Sequence, residues 1–329
     1  MADYATFPSR LNPRNLEQES PMRFCQLDLG GYARLRCPVG FVRKALQLCS
    51  SNSQKKIVND VALKPRVGAV RYLNTKPLVH GLDRDSTPFT LSFDYPAHLA
   101  DQLSLGLLDV ALIPSIEYFL GEDYRIITDA CIGCLGPVWS VKIFFRTPPS
   151  QVKTLALDEG SRTSAALAKI LLAERVGVRP ELQALPLGSD MRDCEADAIL
   201  LIGDRAIHPP AIDAVEVWDL GETWVEWTGL PFVFAMWVAR PGISTEVIAK
   251  SLMEARDGGM DNLEIIAERE AAKYQLTTSE CFHYFHDNLH FTLGPQEKEG
   301  LMRYYNYAVQ LGLAPSGRTP IYDDCKIAR

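Results

Sequence analysis

From Arg66 onward, short apolar runs alternate with helical periods, and this alternation constrains the fold more than any other feature of the chain. Arg66-Val67-Gly68-Ala69-Val70 reads as a buried strand, and Pro77 suits the first turn of a following helix, where its missing N–H is no loss. Thr90–Asp94 reads as a second strand, Ala97–Leu105 as a helix, and Val110–Ile113 as a third strand stopping at Pro114-Ser115. A β-α-β-α-β order predicts a largely parallel sheet with ligands outside the carboxyl ends of its strands.

Two later apolar runs, Val138–Phe145 and Phe232–Val238, bracket a segment with β-α-β content of its own: Thr154–Leu157, the helix Ser164–Glu174, and Ala198–Ile202. The segment reads as an inserted lobe, with the bracketing strands as hinge and a cleft between the lobes. Beyond Thr245 the pattern is helical, clearest over Lys250–Ile266 and Pro295–Leu311. A chain of 329 residues exceeds the usual single-core size, which agrees with two lobes. The expected organisation is a first lobe from 64–147 and 239–329, an inserted lobe from 148–238, and an N-terminal extension over 1–63. The extension mixes Pro, Ser, Asn and Gln, ends in the polar linker Ser50–Lys56, and is expected to be poorly ordered and to carry no chemistry.

Charge narrows the partners. The 34 Lys and Arg against 41 Asp and Glu leave a net charge of −7, the wrong sign for a nucleic-acid binder, and no dense basic run appears. An anionic ligand must therefore be held by local donors and dipoles. No apolar run approaches the roughly 18 residues of a membrane span. Met1–Ser20 lacks the apolar core of a secretory signal, so the cytoplasm is the expected compartment. Eight cysteines (Cys25, Cys37, Cys49, Cys131, Cys134, Cys194, Cys281, Cys325) in so long a chain read as reduced thiols.

Candidate site residues cluster where strands end. Tyr72, Asn74 and Thr75 follow the first strand, a place where side-chain amides, hydroxyls and free N–H groups converge on a carboxylate. The plainer reading, that Asn74 caps the helix begun by Pro77, stays open. Asp158–Ser164 ends one strand and starts an apolar helix, gathering Ser161, Thr163 and Ser164 at a helix N-terminus, where Ser161 or Thr163 is expected to cap. Arg162 either adds charge there or is solvated. Ser140 follows Gly136-Pro137-Val138-Trp139 at the hinge, and Gly203-Asp204 ends Ala198–Ile202. Asp204 suits a structural cap as well as catalysis, and Ser115 reads as a helix N-cap or a ligand contact.

Other patterns carry less. Cys131-Ile132-Gly133-Cys134 is a lone C-x-x-C without further ligands at zinc spacing, and no metal is expected. His283, His286 and His290 read as a polar face or helix end. Trp218, Trp224, Trp227 and Trp237 read as packing residues, with Trp224 and Trp227 also able to wall a ring.

Six ordered blocks resemble one family, the chorismate dehydratases of the futalosine route to menaquinone. They are Val67–Pro77 (with Tyr72-Leu73-Asn74-Thr75-Lys76-Pro77), Gly106–Ser115, Gly136–Val141, Asp158–Ser164, Leu201–Asp204 and Trp227–Ala235. The resemblance covers about Pro65 to Leu313. It implies an α/β, two-lobed type II periplasmic-binding-protein-like fold with a central ligand cleft, and a hydro-lyase acting on the small molecule chorismate without metal or organic cofactor. Asn74 and Ser140 are the catalytic residues it implies. Tyr72, Thr75, Ser115, Ser161, Thr163, Ser164, Gly203 and Asp204 are the expected substrate-binding residues. With no evident protein base, the substrate's own side-chain carboxylate is expected to take the proton, with Asp204 or Glu117 as rivals. Arg71, where a small residue is common, and the extension depart from the family pattern. Two other functions remain in play: a non-catalytic binder of a small carboxylate, and the 1,4-dihydroxy-6-naphthoate synthase of the same route, which the Tyr-Leu-Asn-Thr-Lys-Pro block does not resemble.

Overall fold

The computed structural model describes residues 64–82 and 87–323. The extension over 1–63, with Cys25, Cys37 and Cys49, and also Cys325, lie outside the described residues. The first lobe begins β1 (Arg66–Val70), β2 (Thr90–Asp94), α1 (Pro96–Ser104), β3 (Val110–Pro114), α2 (Ser115–Leu120) and β4 (Arg125–Cys134). The chain then builds β5 (Val141–Phe145), β6 (Thr154–Asp158), α3 (Arg162–Leu171), β7 (Glu181–Leu185), β8 (Ala198–Ile202), α4 (Asp204–Ile207), β9 (Glu216–Asp219) and α5 (Leu220–Thr228). It returns through β10 (Phe232–Ala239) to α6 (Glu246–Met260), α7 (Leu263–Glu270), α8 (Thr278–His283), β11 (His290–Thr292) and α9 (Pro295–Gln310).

One sheet is ordered β11-β4-β10-β3-β1-β2 and the other β7-β6-β8-β5-β9, both within one compact unit. Neither is largely parallel. β1 runs parallel to β2 and β3, and β6 to β7 and β8, but β10 is antiparallel to both β3 and β4, and β5 to both β8 and β9. The expectation of parallel sheets misses that a strand arriving from the other lobe enters in the opposite direction. Every residue of β3, β8 and β10 is buried, which is why these strands read as unbroken apolar runs.

Sheet membership moves the lobe boundaries. β5 belongs to the second sheet and β10 to the first, so the chain crosses at 135–140 and 229–231, not at 147/148 and 238/239. The first crossing is not strand: Val138–Ser140 precede β5 as a turn. The expected helix after Pro77 is two 3-10 turns, Leu73–Thr75 and Pro77–Val79. They stay short because α6 packs directly behind them: a Cβ on Gly259 would stand 2.0 Å from the Pro77 carbonyl oxygen. The period over Lys250–Ile266 is broken at Asp261-Asn262 into α6 and α7. β4, which lies between β10 and β11, has no alternation to announce it because nearly all of its residues are buried.

Candidate functional site

Residues at the carboxyl ends of β1, β6 and β8, together with the crossing turn before β5, face one cavity between the sheets. The first lobe contributes Val70, Tyr72, Asn74, Pro114 and Phe234, and the second contributes Ser140, Ser161, Ser164, Ile202 and Gly203. The cavity measures about 40 Å³, room for little more than one or two waters, so the lobes are closed on one another here. A roomier hollow of about 490 Å³, beside Lys64, His80, Arg269 and Glu270, touches none of the expected site residues.

Asn74 lies inside the Leu73–Thr75 turn and caps nothing; the next turn starts from Lys76 without a side-chain cap. The buried Thr75 hydroxyl donates to Asn74 Oδ1 at 3.3 Å, which leaves the amide hydrogens as the group Asn74 can offer to a ligand. Across the cavity, Ser161 caps α3, accepting from the Ser164 N–H at 3.3 Å, and its hydroxyl lies 3.1 Å from that of Ser164. Both serines line the wall, so the cap and the ligand position coincide.

Ser140 is aimed by a strained turn. Its N–H donates to the Val138 carbonyl at 2.8 Å around Trp139, whose φ is +64°, a γ-turn of the rare positive-φ kind. Asp219, which carried no assignment from sequence, holds this turn: its carboxylate accepts from Val138 N–H at 2.9 Å and Trp139 N–H at 2.6 Å. It also accepts from Gly221 and Glu222 at the start of α5. Burial pushes its pKa up, and the backbone donors oppose that. We expect Asp219→Ala to lower stability by about 2–4 kcal/mol, because part-buried N–H groups lose their acceptor. Urea unfolding checks this, and an unchanged midpoint would show the turn to be self-supporting.

Tyr72 reaches across the cleft into a slot formed by two glycines of the second lobe. A Cβ on Gly203 would stand 2.8 Å from its ring, and one on Gly160 2.8 Å from its hydroxyl. Beside it, the Leu73 N–H donates to Asp204 at 3.2 Å, latching the lobes. Burial pushes the Asp204 pKa up to about 6 from an ordinary 3.8, against the Leu73 N–H and the charges of Lys76 and Arg71. The raised value means that the closed, folded protein favours the neutral carboxyl. This group's contribution to stability is therefore present at low pH and lost as pH rises through about 6. Measured against Asp204→Asn, the wild-type melting temperature should rise as pH falls from about 7 to 5. Parallel profiles would remove Asp204 from the latch.

Ser115 and Thr163 are placed away from the cavity wall. Ser115 is the first residue of α2, not its cap, and donates to the Val233 carbonyl at 2.8 Å. Thr163, from the other lobe, accepts the Ile116 N–H at 3.2 Å, so the cap of α2 is supplied across the lobe boundary. Thr163's own carbonyl accepts from Tyr304 at 3.1 Å. Arg162 pairs with Glu117 at 3.2 Å and with Asp101 at 2.8 Å, so Glu117 is bound to a cation outside the cavity lining. Arg71 lies over the Tyr95 ring at 4.8 Å.

Cys131 and Cys134 are buried free thiols at odd spacing on β4, hence on opposite faces, and burial raises both pKa values. His283 and His286 both meet Asp287, at 2.6 and 2.7 Å, on the surface. Trp224 and Trp227 pack with Phe232, Tyr304 and Tyr307 and wall no part of the cavity. Tyr284 is the residue that sequence alone does not find. It follows α8, no motif surrounds it, and its buried ring meets the ring of Trp139, the residue before Ser140, edge-on at 5.5 Å.

The pattern that defines a family described as menaquinone biosynthesis matches residues 65–310, which contain both sheets and every residue of the cavity. The chain belongs to that menaquinone-biosynthesis family. A curated relative, the chorismate dehydratase of Thermus thermophilus, is 32% identical over 270 residues, covering 76% of this chain and 97% of the relative. Two solved structures show the fold alone. Protein AF1704 of Archaeoglobus fulgidus matches with a TM-score of 0.59 at 17% identity, over 76% of this chain and 98% of that one. The periplasmic aliphatic sulphonate binding protein SsuA of Escherichia coli matches with a TM-score of 0.51 at 14% identity, over 80% and 95%. The two-lobed binding-protein-like fold of this family member is thus established, and its cavity sits at the strand ends where such a fold holds ligands.

Proposed function

We propose that this cleft dehydrates chorismate to 3-[(1-carboxyvinyl)oxy]benzoate and water, the reaction of a carbon–oxygen hydro-lyase in menaquinone biosynthesis by the futalosine route. The observation that carries the reading is the convergence of Asn74, Ser140, Ser161 and Ser164 on one cavity, neutral donors from both lobes suited to a dicarboxylate. Family membership and the activity named for the Thermus relative support it.

The chemistry follows from the substrate. The C3 hydrogen is vinylogous to the ring carboxylate, so its removal gives an extended enolate-like anion. That anion expels the C4 hydroxyl and becomes aromatic, which drives the reaction. The proton lost from C3 and the hydroxide lost from C4 leave as water. Asn74 donates to the reacting region, and the serine hydroxyls hold the carboxylates and fix the conformer. The enolpyruvyl carboxylate of chorismate takes the C3 proton. An analogue without that carboxylate, turned over at an undiminished rate, would transfer the role of base to the protein. Asp204 is then the candidate, since its pKa of about 6 suits a base working near neutrality.

The deciding experiment incubates purified protein with chorismate and follows the aromatic product by NMR. Tight chorismate binding without product would favour a solute-binding role on the same fold. Turnover only of the substrate that yields 1,4-dihydroxy-6-naphthoate would favour that synthase. The free thiols Cys131, Cys134, Cys194 and Cys281 support a reducing compartment, the cytoplasm. No helix among the described residues is long and apolar enough to cross a membrane.

A further inference from the structure

We infer that Asp158 and Arg205 are positioning residues: their ion pair ties together the two loops of the second lobe on which the first lobe lands, and so sets the closed cleft for the substrate. This rests on the reading of the cavity as the place where chorismate binds. Both loops lie at strand ends, one being the turn after β6 and the other the start of α4 after β8. On the first, Gly160 lies against the Tyr72 hydroxyl, and its carbonyl accepts from the Ala97 N–H of α1 at 3.2 Å. On the second, Gly203 lies against the Tyr72 ring, and Asp204 accepts the Leu73 N–H at 3.2 Å. Tyr72 stays in its slot only while the two loops keep their spacing.

The sheet alone does not fix that spacing. β6 and β8 are neighbours, but their pairing ends at Leu157 opposite Leu200, short of both loops. The Asp158 side chain, fully buried, spans the gap. Its Oδ1 accepts from the Gly160 N–H at 2.9 Å, which folds the turn that presents Gly160 and, one residue on, the cavity-lining Ser161. Its Oδ2 faces Nη1 of Arg205, the residue after Asp204, at 3.3 Å. Both atoms are buried and neither has a hydrogen-bond partner among the described residues, so each is balanced by the opposite charge. The guanidinium is held from its far side, where Nη2 donates to the Ser189 carbonyl at 2.9 Å. A buried carboxylate without its cation is strongly unfavourable, so the pair draws the Gly160 turn and the start of α4 together.

The test is Arg205→Met in the full chain, alone and combined with Gly203→Ala, with Arg205→Lys beside it. Each protein is assayed for chorismate dehydration, with a thermal melt and small-angle scattering. Methionine keeps an apolar stem and removes the charge. Closing the lobes then draws on substrate binding, so KM should rise about 10-fold with kcat within about 3-fold, and the radius of gyration should exceed that of wild type. Because Asp158 meets a single guanidinium nitrogen, Arg205→Lys should return KM to within about 3-fold of wild type. In Gly203→Ala, where Tyr72 is already displaced, Arg205→Met should add no more than about 2-fold, since both act on one slot. An unchanged KM in Arg205→Met, a loss confined to kcat, a lysine variant as poor as the methionine one, or a full further rise on top of Gly203→Ala overturns the inference. So does a lowered melting temperature with KM and kcat unmoved, the mark of a pair that serves stability alone. If wild type binds chorismate without forming product, the proposed function falls, and the Kd for chorismate takes the place of KM in the same comparison. If wild type neither binds nor converts chorismate, the site reading falls too and scattering decides the inference, a radius equal to wild type overturning it. Should Arg205→Met not fold, Asp158→Asn, which keeps an oxygen for the Gly160 N–H, must raise KM by about 3-fold or more, an unchanged KM overturning the inference.

Discussion

Replacing Asn74 by alanine is expected to lower chorismate turnover by about 10²–10³-fold, the range found when one preorganised donor is removed from a developing charge. The amide stands on the cavity wall with its oxygen engaged by Thr75, so what it offers a ligand is N–H donation. A donor of this kind matters most when negative charge spreads over the ring after C3 loses its proton, so kcat should fall more than affinity. The substitution also leaves the fold standing: the Leu73–Thr75 turn is closed by backbone bonds, Thr75 N–H to Tyr72 at 3.2 Å and Lys76 N–H to Leu73 at 3.1 Å. Steady-state kinetics beside a thermal melt separate the two effects. Unchanged turnover and affinity would mean that the site has been assigned to the wrong residues, even with the fold intact.

Gly203→Ala is expected to keep the protein folded but hold the lobes apart, lowering kcat/KM by about 10²-fold. Two costs coincide. Gly203 has φ +62° and ψ −146°, a backbone region that costs a side-chain-bearing residue of order 1–3 kcal/mol. The new methyl would also stand 2.8 Å from the Tyr72 ring, closer than carbon atoms approach. The clash is relieved by moving Tyr72 out of its slot, which opens the cleft, while the backbone strain at position 203 stays and lowers stability. The Gly203 N–H also donates to the Ser140 carbonyl at 2.8 Å, so displacement there is transmitted to the crossing turn. Small-angle scattering should show a larger radius of gyration than wild type, with the rate loss concentrated in KM. A compact variant with wild-type kinetics would show that Tyr72 does not set closure.

Most of the secondary structure that positions the site is legible in the chain. β1, β3, β6, β8 and β10 stand within a residue or two of where apolar runs predict them, because buried strands must be apolar on both faces, and the edge strand β2 stands where expected although none of its residues is fully buried. Asn74, Ser140, Ser161, Ser164 and Gly203 were marked by their place at strand ends, and the fold brings all five to one cavity. Ser115 and Thr163 sat in equally good local contexts and were drawn instead into the contact between α2 and α3. Local sequence makes a hydroxyl available at a helix terminus and does not say whether a ligand, a neighbouring helix or its own backbone will take it.

What the sequence determined by itself is the order of strands and helices, the two lobes, and the polar residues available at the strand ends, because periodicity and capping are local properties of the chain. What only the tertiary structure decided is which of those residues meet. The antiparallel entry of β5 and β10, the Tyr72 slot between Gly160 and Gly203, the Asp219 grip on the γ-turn and the Tyr284 ring against Trp139 all join segments from about 60 to about 145 residues apart. Such pairings depend on sheet direction and packing across the lobes, and no local pattern in the Tyr284 segment records that its ring ends against Trp139.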